Sequence, residues 1–107
     1  MLKMFFKFGT VMKQFSVITK ENCSKCVELK SWLKQKKIKF DEWSVENQKV
    51  VDKLLHNEEF IQNFCDIEGC TVFTPVIYLP IENKFYFKEL FGISGLRKDF
   101  ITKLLEL

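Results

Sequence analysis

The sequence predicts a single α/β domain in the order β-α-β-α-β-β-α, a four-stranded mixed sheet flanked by three helices. Three observations predict it. A strand-helix-strand opening favours parallel pairing through a right-handed crossover. Two further strand-like runs are joined only by Pro80-Ile81-Glu82-Asn83, short enough for an antiparallel hairpin. A length of 107 residues, 47% of them hydrophobic, suffices for one packed core and leaves little for a second.

Residues 14–19 (QFSVIT) are rich in β-branched and aromatic side chains and read as the first strand. Over 24–37, Cys26, Leu29 and Leu33, with Trp32 beside them, recur at three- and four-residue spacing, the stripe of an amphipathic helix. Residues 38–43 (IKFDEW) begin with alternation and predict the second strand. One long helix is expected over 46–64, with Val50, Val51, Leu54, Leu55, Ile61 and Phe64 as its apolar face and a turn at 66–69 as its end. Residues 75–79 (PVIYL) and 84–87 (KFYF) supply the third and fourth strands. Leu96, Phe100, Ile101, Leu104 and Leu105 give a C-terminal amphipathic helix, with Ser94 as a cap near its start. Residues 1–13 read as an N-terminal extension and 14–107 as the domain; Met12 opens a second start just before the first strand.

Seventeen basic against fourteen acidic residues leave a formal charge of +3, and every basic residue but Arg97 is Lys. So mild and interspersed an excess argues against nucleic-acid and membrane-surface binding. No run approaches the roughly 18 apolar residues of a membrane span. The start, MLKMFFKFGTVMK, is interrupted by Lys3 and Lys7 and is followed by no small-x-small pattern, so a secretory signal is not expected. The expected address is cytoplasmic, where stable structural disulfides are uncommon. The four Cys therefore pose the main question: a disulfide scaffold, a metal site, or redox chemistry.

Cys23-Ser24-Lys25-Cys26 lies where the first strand gives way to the first helix. A first helical turn presents unpaired N–H groups and the positive end of the dipole, both of which stabilise a thiolate. Cys23 is thus the expected nucleophile, since the thiolate is the attacking species. Cys26, within one turn, is placed to resolve the mixed disulfide. Lys20 and Lys25 favour the thiolate; Glu21 and Glu28 oppose it. Zinc is the competing use of such a pair, with Cys65 and Cys70 as further ligands, but the strand-CxxC-helix context favours a redox site.

The segment from Ile18 to Cys26, with a Lys three residues before the first Cys, resembles the glutaredoxin active-site segment, although Ser-Lys replaces the family's usual Pro-Tyr. Thr74-Pro75-Val76-Ile77-Tyr78 is similar to the family's cis-proline segment, and Ser94-Gly95-Leu96-Arg97-Lys98-Asp99 to a segment of NrdH-type redoxins. The resemblance implies a thioredoxin-like fold with sheet order 2-1-3-4, a cis Pro75 and dithiol–disulfide exchange through a redox disulfide of Cys23 and Cys26. It further implies substrate or glutathione binding by Lys20, Thr74, Pro75, Gly95 and Leu96. No bound cofactor or metal is implied. Glutathione enters as co-substrate, or an NADPH-dependent thioredoxin reductase supplies the electrons. The implied partners are disulfide-containing proteins, ribonucleotide reductase among them, and the expected state is a monomer. The Gly-Gly pair and nearby Asp that receive the γ-glutamyl end in typical glutaredoxins are not matched by Gly95-Leu96-Arg97. The alternative from another class is a zinc or iron–sulfur module without redox turnover.

The remaining chemistry-bearing residues take plainer expectations. Cys65 and Cys70 read as buried structural thiols, with a regulatory disulfide as the second reading. His56 reads as a solvent-facing helical residue, and Trp32 and Trp43 as core or half-core. The lysines of 34–39 form a solvated helix end. Arg97 is either a surface residue at a helix start or a bidentate partner for a substrate carboxylate.

Overall fold

The computed structural model describes residues 13–107. Its order begins with β1 (Ser16–Thr19), α1 (Ser24–Gln35), β2 (Asp41–Ser44), α2 (Gln48–Leu55) and α3 (Glu58–Phe64). A small hairpin of β3 (Cys65–Asp66) and β4 (Gly69–Cys70) follows, then β5 (Val76–Leu79) and β6 (Lys84–Tyr86). After a 3-10 turn at Lys88–Leu90, a second small hairpin of β7 (Phe91–Gly92) and β8 (Gly95–Leu96) leads into α4 (Lys98–Leu105). Among the described residues this is a mixed four-stranded sheet, β2-β1-β5-β6, with four α-helices. β1 pairs with β2 in parallel and with β5 antiparallel, and β5 pairs antiparallel with β6.

The sheet is buried on both faces because its central strands carry apolar side chains of both parities. Val17, Ile77 and Leu79 point to one face, where Leu29, Trp32 and Leu33 of α1 meet Ile101 and Leu105 of α4. Ile18, Val76 and Tyr78 point to the other, against Val50 and Leu54 of α2 and Phe60 and Phe64 of α3. β1 and β5 are buried at every position; β5 is a continuous apolar run, as a strand covered on both faces should be, while β1 also buries Ser16 and Thr19.

The single helix expected over 46–64 is instead two, so the helices number four rather than three. The reason lies at Asn57. Its side chain accepts hydrogen bonds from the N–H groups of Glu59 and Phe60 at 2.9 and 3.2 Å, which starts α3 afresh. His56 closes α2, and its Nδ1 lies 2.7 Å from the Asp52 carbonyl oxygen, so that nitrogen donates. Spacing explains why the break is needed. From Leu54 to Phe60 an unbroken helix turns about 600° at ~100° per residue, which would put the two on different faces. Both are buried in one cluster, while Leu55 and Ile61, expected on the apolar face, are exposed.

Two further boundaries differ from expectation. β2 begins at Asp41 rather than at residue 38, because Ile38 belongs to the end of α1. Lys37 takes a left-handed φ of 59°, the Ile38 N–H returns to the Leu33 carbonyl at 3.0 Å, and the Lys37 N–H returns to that of Lys34. That is a Schellman motif, and it uses the donor a strand would need. Ser94 does not cap the last helix. It sits in the turn of the β7–β8 hairpin, and α4 starts after Arg97 with no side-chain cap. The expected extension at 1–13 lies outside the described residues except for Lys13, whose N–H bonds the Leu105 carbonyl at 3.2 Å.

Candidate thiol–disulfide site

The parallel β1–β2 pair and the crossover α1 place Cys23 where β1 ends and the helix begins. Asn22 just before it adopts φ 57°, a left-handed conformation that Asn tolerates better than most residues. Cys23 is the N-cap of α1: its carbonyl accepts the first helical bond from Val27, and its Sγ accepts from the Cys26 N–H at 3.1 Å. Cys23 and Cys26 are joined as a disulfide with Cα atoms 5.2 Å apart. Their exposures differ. Cys23 is half-buried, whereas Cys26 is 1% exposed on the face of α1 that enters the core. An outside group can therefore reach Cys23 and not Cys26.

The second element at the site is the segment before β5. The Thr74–Pro75 bond is cis, as the resemblance implies. Thr74 is half-buried and its hydroxyl donates to Cys23 Sγ at 3.4 Å; Pro75 is buried behind it. The Cys23 sulfur thus receives one donor from its own helix and one from a residue 51 positions further along the chain, at the N-terminal end of a helix whose dipole favours negative charge there.

Lys20 is exposed in the loop between β1 and Cys23. Glu46, just after β2, carries a carboxyl held below the usual carboxylate range by the Ser44 hydroxyl, by the Glu21 N–H and by the charge of Lys20. The Glu46 carboxylate accepts from Glu21 N at 3.3 Å and so ties this loop to the neighbouring strand. Sequence reading misses that role, because only parallel pairing of β1 with β2 brings a residue 25 positions away to the loop.

The β7–β8 hairpin lies against the first turns of α1. Lys25 Nζ stands 5.3 Å from the centre of the Phe91 ring, and Gly95, at φ 101°, leaves a space where a Cβ would come 3.7 Å from the Glu28 carboxylate. Gly95 and Leu96 line an open cleft with residues 92–100, but Leu96 also packs against the core cluster of α1 and α4. Arg97 is engaged within the chain. It donates to the Glu89 carbonyl at 3.2 Å and its guanidinium lies 5.2 Å from the Phe100 ring.

Cys65 and Cys70 are not buried thiols. They face each other across the β3–β4 ladder and form a second disulfide, with Cys70 exposed and Cys65 half-buried. The short helix α3 ends at Phe64, Cys65 packs at the edge of the core cluster beneath α2 and α3, and the turn that follows carries Cys70 back beside it. The zinc set that would join all four cysteines is not assembled, since each pair is bonded within itself. Among the described residues no group of three or more His, Cys, Asp or Glu side chains is placed to hold a metal ion. Nor, among those residues, is any helix long and apolar enough to cross a membrane.

Comparison of the chain with protein-family models, with curated proteins and with solved structures gives no match in any of the three.

Proposed function

We propose that this chain is a glutaredoxin-like thiol–disulfide oxidoreductase with a thioredoxin-like fold, acting through Cys23 and Cys26. The observation that carries the reading is the asymmetry of the pair. A reachable Cys23 sulfur accepts hydrogen bonds from the Cys26 N–H and the Thr74 hydroxyl at a helix N-terminus, and an inaccessible Cys26 stands one turn behind it. Strand order supports the fold: β2-β1-β5-β6 is 2-1-3-4 when only the strands of the main sheet are counted.

In the reduced protein the two donors and the helix dipole favour the Cys23 thiolate. That thiolate attacks one sulfur of a substrate disulfide; a Cys23–substrate bond forms, and the other substrate sulfur leaves as a thiolate and takes a proton from solvent. Cys26, deprotonated, then attacks Cys23 Sγ, which frees the second substrate thiol and leaves the Cys23–Cys26 disulfide. Two electrons have passed to the substrate, and a donor must return two to restart the cycle.

Two features disfavour glutathione as that donor and favour a thioredoxin reductase. Gly95-Leu96-Arg97 does not match the Gly-Gly pair and Asp that receive the γ-glutamyl end in typical glutaredoxins, and Arg97 is turned toward the Glu89 carbonyl and the Phe100 ring. The same site suits disulfide-containing proteins, with ribonucleotide reductase as a candidate partner in a cytoplasmic setting. The test is NADPH consumption with a disulfide substrate under two reducing systems, glutathione with its reductase and thioredoxin reductase alone. Turnover with the second, abolished by Cys23→Ser, is expected. Inactivity of the folded, reduced protein in both systems would overturn the reading.

A further inference from the structure

We propose that Cys65–Cys70 is a second thiol–disulfide exchange site, opened by dithiols that enter at Cys70. It stands apart from the Cys23 chemistry and does not depend on it. A disulfide that serves stability alone is normally shielded and closes a long loop, since the entropy removed from the unfolded chain grows with loop length. This one closes only the segment from Cys65 to Cys70 and has its second sulfur-bearing residue on the surface. The flanking hairpin leaves Cys70 uncovered, while Cys65 packs against the core at the end of α3. β3 and β4 have two residues each, Asp66, Glu68 and Gly69 are exposed, and Ile67 at the tip is fully so. Exposed disulfides of this kind are the labile ones.

The geometry also selects the reductant. A thiolate attacks Cys70 Sγ, a bond forms between Cys70 and the reagent, and the Cys65–Cys70 bond breaks with Cys65 leaving as a thiolate. Cys65 stays opposite its partner in the ladder, with Cα atoms 3.9 Å apart, so it can expel a monothiol and reclose the hairpin before a second molecule arrives. A dithiol escapes this reversal. Its second thiolate attacks the reagent sulfur, closes the reagent's own disulfide and releases Cys70. Two electrons pass to the hairpin, and the reagent's two thiol protons are balanced by those taken up at Cys65 and Cys70. Asp66 and Glu68 work in the same direction, because they repel an anionic monothiol such as glutathione.

The experiment uses a Cys23→Ser/Cys26→Ser variant, in which only the hairpin pair can react. Dithiothreitol and glutathione are applied at equal thiol concentration in native buffer, followed by acid quench, alkylation and mass spectrometry. Dithiothreitol should label Cys65 and Cys70 about tenfold or more faster than glutathione, with circular dichroism unchanged. Equal rates, or labelling of the pair only where denaturant unfolds the chain, would overturn the proposal. The wild-type protein, with each pair assigned by peptide mapping, gives the same two outcomes should the variant fail to fold. Because neither arm reads turnover at Cys23, failure here is distinct from failure of the proposed oxidoreductase activity.

Discussion

At the scale of single residues, Thr74 is the side chain whose role is most open to measurement. Its hydroxyl is 3.4 Å from Cys23 Sγ, and a hydrogen bond of ~1 kcal/mol to a thiolate changes the thiolate population about fivefold. Thr74→Val in the reduced protein should therefore slow alkylation of Cys23 near neutral pH by about that factor. An unchanged rate would show that the hydroxyl does not act on the sulfur. Glu42 provides a second residue-level test. The Lys30 ammonium, 2.9 Å away, holds its carboxyl below the usual carboxylate range; burial opposes this, and the Thr19 hydroxyl at 2.8 Å adds to it. Because the folded chain lowers this group relative to the unfolded one, ionised Glu42 stabilises the fold above the unfolded value, and that contribution is lost as pH falls through the folded value. The urea midpoints of wild type and Glu42→Gln should then differ most near neutral pH and converge in acid. A gap that widens in acid would contradict the assignment. Cys23, Cys26 and Pro75 are legible in the sequence because local spacing and context carry them. The Thr74 contact to sulfur and the Glu46 tie to Glu21 are not, because both depend on chain segments that meet only in the folded sheet.

Among the elements, the α2–α3 junction is where one residue decides two helices. Asn57 caps α3 and also donates to the Asn83 side chain at 2.7 Å, linking this junction to the β5–β6 turn. Tyr78 donates to the same Asn83 oxygen at 2.9 Å. Asn57→Ala removes the cap and the link together and should cost about 1–2 kcal/mol in urea unfolding. A loss below a few tenths would mean that water replaces the cap without penalty. This junction also explains why the sequence pattern misled. The run from 46 to 64 contains enough apolar residues for one helix, but the register slip between Leu54 and Phe60 shows only when their shared cluster is known. The Schellman end of α1 hides the start of β2 for a related reason: IKF alternates like a strand while its first N–H belongs to the helix.

For the whole molecule, the doubly covered sheet is what gives the two thiols of the CxxC pair different lives. α1 must bury Leu29, Trp32 and Leu33 against Val17 and Ile77, and that requirement rotates Cys26 inward and leaves Cys23 at the helix start. The mixed sheet with its helical cover was readable from the β-α-β opening and the closing hairpin, whereas the order 2-1-3-4 came only with the glutaredoxin resemblance. The small hairpins were not, since strands of two residues carry no period to detect. The central claim is that Cys23 attacks and Cys26 resolves, and trapping tests it most directly. A reduced Cys26→Ser variant is exposed to a small disulfide in native buffer, digested, and mapped by mass spectrometry. The account predicts a stable mixed disulfide on Cys23 that the wild-type protein does not accumulate. An unmodified Cys23 in the folded variant, with any adduct confined to Cys65 or Cys70, would contradict it.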